Sequence, residues 1–261
     1  MKRWLAMALL LLVCAPARAR IPAGDLLAGV KPGADGMIDV LTVFAHPDDE
    51  SFYLAGTLLK MKSDPRVRLH IFCLTNGDKD RAGRSLGISE AELARIRVAE
   101  LASAGAVLGA VSVIDQGYPD QGLAGADQDR LQREILDRIQ GAGAEVVITH
   151  DPLGITAHPD HVTCSRATLA AFNRSAAQRL YYVTMARTRY RLNRMVSTFQ
   201  APAQPAYATF KVYIRPEKKM KKLALSAHAS QRNFSMFNAL AMKEDLLYDY
   251  EYFTLGAENK P

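Results

Sequence analysis

Two short stretches carry the residues best suited to chemistry. In His46-Pro47-Asp48-Asp49-Glu50 a histidine stands three residues before an aspartate, which Asp48 and Glu50 flank. His158-Pro159-Asp160-His161 repeats the His-Pro-Asp opening and puts a second histidine three places after the first. Residues three apart on a helical turn share a face, so each stretch offers a pair of side chains to one point. Imidazole nitrogen and carboxylate oxygen together suit zinc. Alone, the first stretch would read as an ordinary helix start whose acids favour the dipole. The second copy of the device argues against that.

Both stretches follow apolar runs that read as strands, Ile38–Ala45 and Glu145–His150. Pro47 is expected at the first position of a helix through Leu54, Leu58, Leu59 and Met61. Pro159 opens another to Asn173. Further strands are expected at Arg66–Thr75, Val111–Asp115 and Leu180–Met185. Helices are expected from a Ser89 cap to Leu108 and over Asp127–Gln140. Asn76-Gly77-Asp78 signals a turn, and Lys79–Leu86 reads as a mobile loop over the site.

Strands alternating with helices predict an α/β fold: a Rossmann-like, mostly parallel sheet with helices on both faces. Its chemistry is expected at the carboxyl ends of the strands. Past Ala186 the pattern loosens through a basic run, Arg187–Arg194, and a proline-broken one, Ala201–Pro205. A C-terminal strand and helix extension follows: Tyr207–Ile214 at the sheet edge, a helix after Pro216, and Met236–Leu255 wrapping back onto the core. His70, His150 and His228 are read as structural, and Arg215, Lys218, Lys219, Lys221 and Lys222 as a solvated helix face.

Residues 1–19 read as a signal peptide, with Lys2 and Arg3, an apolar run from Trp4 to Cys14, and Ala17-Arg18-Ala19 as a cleavage site. The run is short for a membrane span, so no stable transmembrane segment is expected after cleavage. Export to the periplasm or outside the cell is the expectation, with residues 20–261 as one domain. The formal charge of +6 includes Lys2, Arg3 and Arg18, so +3 remains, which argues for no nucleic-acid partner. Cys73 and Cys164 are expected as a disulfide pair or as buried thiols.

Ala45-His46-Pro47-Asp48-Asp49-Glu50, followed by His158-Pro159-Asp160-His161, resembles the zinc-dependent deacetylases of the PIG-L/LmbE-like family. The resemblance runs from roughly Ile38 to Leu255. It implies removal of an acetyl group from an N-acetylglucosamine-type sugar or glycoconjugate. It also implies Zn²⁺ held by His46, Asp49 and His161, with Asp48 as general base. His158 would stabilise the oxyanion or protonate the leaving amine, and Asp160 would orient His158 or set its charge. The residues alone leave open whether His158 or His161 is the ligand. Arg97 matches an arginine that reaches substrate, and Asp120 an aspartate that grips sugar hydroxyls. The chain departs from the family at Thr156, where some members carry tyrosine, and at Asp78, where glutamate is commoner. Another metal-dependent amidase, a phosphoesterase and a silent sugar-binding protein are the alternatives. Oligomeric state is not legible.

Overall fold

The computed structural model describes residues 21–185, 208–231 and 248–259. The expected signal peptide, the basic run after Ala186, the 201–205 stretch and the start of the Met236–Leu255 segment lie outside them.

The elements run β1 (Ile38–Phe44), α1 (Asp49–Lys62), β2 (Val67–Thr75), α2 (Arg81–Leu86), α3 (Glu90–Leu108), β3 (Ser112–Tyr118), α4 (Gln128–Ala142), β4 (Val146–His150), α5 (Pro159–Phe172), β5 (Arg179–Thr184), β6 (Phe210–Tyr213), α6 (Lys218–Ala227) and β7 (Tyr250–Glu258). The strands form one sheet in the order β3-β2-β1-β4-β5-β7-β6. Pairings from β3 to β5 are parallel, and β7 runs antiparallel between β5 and β6. This is the mostly parallel sheet the alternation predicts, with β6 at its edge. Because the chain leaves β1 for β2 on one side and returns at β4 on the other, the sheet reverses between β1 and β4. That is where open α/β sheets leave a crevice at their carboxyl ends.

Alternate side chains of the buried strands enter two cores. One face packs Val40, Phe44, Ile71 and Ile148 under α1 and α3. The other packs Leu41, Val43, Phe72 and Val147 under α4 and α5. Cys73 and Cys164 are both buried free thiols.

Four expectations need correction. Lys79–Leu86 contains a helix, because Asp80 accepts the Ala82 N–H at 2.8 Å and Gly87 ends the turn in the left-handed region. β3 extends to Tyr118 through an irregular register against β2. Pro47 is not the first residue of α1, which starts at Asp49 with Asp48 as N-cap. Lys221 does not lie on a solvated face. It is 1% exposed and donates to Glu251 at 2.7 Å and to the Phe52 carbonyl at 3.1 Å. A buried ammonium needs such acceptors.

Candidate metal centre

The loops after β1 and β4 meet at the reversal, and the two His-Pro-Asp corners converge there. His46 Nδ1 lies 3.0 Å from His161 Nε2. Asp49 completes a triangle, with Oδ2 3.7 Å from His46 Nδ1 and Oδ1 3.5 Å from His161 Nε2. A tetrahedral zinc with bonds of about 2.0–2.1 Å has ligand atoms about 3.3 Å apart. All three residues are buried.

The far side of each ring fixes its proton. His46 Nε2 faces two carboxylates, Asp120 at 3.0 Å and Asp160 at 3.3 Å. His161 Nδ1 faces the Gly154 carbonyl at 3.0 Å. These partners only accept, so each outer nitrogen carries hydrogen and each inner one faces the shared centre. Two ring nitrogens 3.0 Å apart beside a carboxylate are a donor set that fits a divalent metal. Burial works against a charged His46, yet Asp120, Asp160 and Asp49 raise its pKa to about 10. Burial pushes the Asp49 carboxyl up, but the imidazoles of His161, His150 and His46 outweigh it and hold the pKa low. Burial dominates at His161 and takes its pKa well down.

Asp48 has φ 126, where an aspartate costs of order 1–3 kcal/mol. Its N–H donates to Glu50 Oε2 at 3.1 Å, and Arg97 Nη2 reaches its carboxylate at 3.0 Å and the Pro47 carbonyl at 2.6 Å. Arg97 Nη1 donates to the Gly77 carbonyl at 3.1 Å. Gly77 has φ 65, and a Cβ there would collide with the guanidinium, so only glycine suits the turn. Burial lifts the Asp48 carboxyl to about 7 against the Arg97 charge. Its side chain is 16% exposed and that of Asp49 is 5%, so Asp48 is the acid that incoming molecules can meet.

The second corner is built differently. Asp151 Oδ1 accepts from Leu153 N at 2.9 Å and Ile155 N at 3.1 Å, folding the approach. Ile155 and Ala157 follow at φ 56 and 62, a conformation strained for the β-branched Ile155. At Gly154, φ 68, an added Cβ would meet His161 Cβ at 2.9 Å. His158 caps α5, its Nδ1 accepting the Asp160 N–H at 3.1 Å. Burial, and then the nearby His46, lower its pKa. Thr156 Oγ1 sits 3.4 Å from His161 Nδ1.

All eight sequence-derived site residues come together here, and three of them also hold protein partners that the sequence did not announce. Asp160 was expected to orient His158 or set its charge. Its charge does act on His158, raising that pKa against burial, and its N–H donates to His158 Nδ1, while its carboxylate also serves His46 and accepts from Gln121 N at 2.6 Å and Leu123 N at 3.1 Å. Asp120 puts its carboxylate on His46, while its N–H donates to Asp78 at 2.8 Å. Arg97 is buried, with its Nη atoms spent on Asp48 and two carbonyls.

His150 was read as a structural loop contact. It is fully buried, stacks on His161 with ring centroids 4.0 Å apart, and places Nε2 3.2 Å from both Asp49 Oδ2 and Ala45 N. His228 packs as read, but its Nε2 also lies 2.8 Å from Glu50. A signal for Arg97 was present: with Glu100 it falls on the stripe Leu93, Leu101, Ala104, Leu108 that α3 buries.

Residues 41–172 match the family described as PIG-L, GlcNAc-PI de-N-acetylase. The chain belongs to this family. Several of its curated relatives are named as deacetylases of N-acetylglucosamine-type compounds. One curated relative is a probable N-acetyl-alpha-D-glucosaminyl L-malate deacetylase 2 of Bacillus anthracis. It is 33% identical over 196 residues, covering 74% of this chain and 80% of the relative. Among solved structures, the N,N'-diacetylchitobiose deacetylase of Pyrococcus horikoshii superposes with TM-score 0.60 at 20% identity, over 83% of each chain. The 4-carboxy-2-hydroxymuconate hydratase GalB of Pseudomonas putida superposes with TM-score 0.63 at 17% identity, over 86% of this chain and 98% of its own. A hydratase on the same PIG-L-type fold means that the fold alone does not select deacetylation. Among the described residues, no helix is long and apolar enough to cross a membrane.

Proposed function

We propose that this PIG-L family member is an exported zinc-dependent N-deacetylase of N-acetylglucosamine-type sugars or glycoconjugates. The observation that carries the reading is the triangle of His46 Nδ1, Asp49 and His161 Nε2, each histidine oriented from behind. These three residues would hold the metal. When bound, zinc supplies a water acidified to a pKa of about 7 and polarises the amide carbonyl.

Asp48 stands next in sequence to a ligand, yet its carboxylate turns to Arg97 and keeps some exposure. It takes the proton from water attacking the acetyl carbon. Arg97 holds it in place. His158 Nε2 faces the developing oxyanion or returns a proton to the departing amine, and its Nδ1 bond to the α5 backbone fixes the ring. Asp120 and Asp160 keep His46 in the tautomer that leaves Nδ1 available. The products are acetate and a free amino sugar.

Supporting export, the first nineteen residues carry a positive start, an apolar run and a small-x-small site. Export makes an envelope or extracellular glycan, glycolipid or glycoconjugate the fitting substrate. The test is acetate release from N-acetylglucosamine oligomers, with and without chelator. The reading expects release that a chelator abolishes and added zinc restores. No chelator-sensitive release across a broad glycan panel would contradict it.

A further inference from the structure

The turn that ends α6 reaches both helices flanking the strained corner. His228 has none of its surface exposed, and its Nε2 lies 2.8 Å from Glu50 Oε1. Ser51 Oγ donates to the same oxygen at 2.6 Å. The other oxygen, Glu50 Oε2, accepts the Asp48 N–H. Two residues further on, Ser230 donates its N–H at 2.6 Å and its hydroxyl at 2.7 Å to Glu100, three residues from Arg97 on α3. The Lys221–Glu251 pair anchors the middle of α6, and Glu251 also accepts the N–H groups of Gly56 and Thr57 on α1.

A residue at φ 126 relaxes unless its surroundings over-determine it. The Asp48 carbonyl is held by Ser51 N and Phe52 N, as in any helix start. Its N–H is held only by the Glu50 side chain among the described residues, and that side chain turns on rotatable bonds unless its other oxygen is fixed. Among the described residues His228 Nδ1 has no hydrogen-bond partner. The ring proton is therefore assigned to Nε2, which makes His228 the donor to Glu50.

We propose that His228 is a positioning residue for Asp48: it fixes Glu50, and Glu50 fixes the backbone that aims the Asp48 carboxylate into the site. The proposal rests on the reading of Asp48 as general base. A C-terminal element distant in sequence thus sets the geometry of the first corner.

The test compares His228→Leu, which keeps bulk and removes the donor, with His228→Gln, whose amide still donates. Both are made in the zinc-loaded protein and assayed for acetate release from N-acetylglucosamine oligomers. His228→Leu is expected to lower kcat by about 10- to 100-fold, the scale of a mispositioned catalytic group. KM and zinc content should stay within about twofold. His228→Gln should recover most of the loss. A wild-type kcat in His228→Leu, equal losses in both variants, or a loss that follows zinc content would overturn the proposal.

A crystal structure of His228→Leu gives a readout that needs no activity. Asp48 should leave its positive φ and the Asp48–Glu50 bond should open, whereas an unchanged corner overturns the proposal. If no sugar is deacetylated by the wild type, the functional reading falls and this structure still decides whether His228 positions Asp48 through Glu50. If His228→Leu does not fold, His228→Asn, whose shorter amide cannot reach Glu50, replaces it in both readouts with the same expectations.

Discussion

The two His-Pro-Asp corners share three residues and differ in where the helix begins. In the first, α1 starts at Asp49, so His46 lies ahead of the helix and Asp48 is its N-cap at φ 126. In the second, Pro159 is the first helical residue, and His158 is the N-cap at φ −62 and ψ 131. Two residues of offset redistribute the work. His46 keeps Nδ1 for the shared centre, whereas His158 uses Nδ1 to cap its own helix. Asp48 is twisted toward Arg97 and the pocket, whereas Asp160 sits in the first turn and braces His46 and the Gln121 and Leu123 backbone. The tripeptide does not set the geometry. The neighbours do: Glu50 and Arg97 at one corner, Asp151 and Gly154 at the other.

The comparison is broken most severely by removing what the corners share. Asp49→Ala in the first or His161→Ala in the second should each leave less than about a tenth of the zinc per chain. Amidase activity should fall by at least about 10³-fold, because a two-ligand site cannot hold a catalytic zinc. Metal analysis and acetate release check this, and full zinc retention in either variant would separate the corners.

Asp48→Asn and Asp160→Asn test the offset itself. Asp48→Asn should keep its zinc and lose about 10²- to 10⁴-fold in kcat. Asp160→Asn should do the reverse, weakening zinc affinity by about 10- to 100-fold while kcat at saturating zinc changes little. Chelator competition alongside steady-state kinetics distinguishes the two. Matching profiles would mean that the two aspartates do the same job.

The smallest effect concerns the cap. His158→Ala should lose the α5 N-cap and about 1 kcal/mol of stability, whereas His158→Asn should keep it. Both should be impaired in kcat, since neither supplies an imidazole proton. Urea unfolding midpoints set beside kcat check this. Equal stability in the two variants would remove the capping role.

The sequence made the sheet legible because strand and helix periods alternate cleanly from Ile38 to Thr184, and it made the corners legible because each ends an apolar run. The start of α1 was misplaced because proline favours a first helical position, and the side chains that override this, Glu50 and Arg97, act through the folded chain. Arg97 and Lys221 were readable in principle as charges set in apolar stripes beside Leu101 and Ala224. The His228–Glu50 contact joins residues 178 apart, and no local pattern announces it. His150 shows the same limit. Its place at the end of β4 was clear, but its stacking on His161 depends on how the second corner folds back.

The most direct test of the central claim is a crystal structure of the zinc-loaded protein with anomalous data at the metal edge. The account predicts one ion bonded at about 2.0–2.2 Å to His46 Nδ1, an Asp49 oxygen and His161 Nε2, with His158 Nδ1 still on the α5 backbone. An ion bound through His158, or one held by a single corner with His161 turned away, would contradict it.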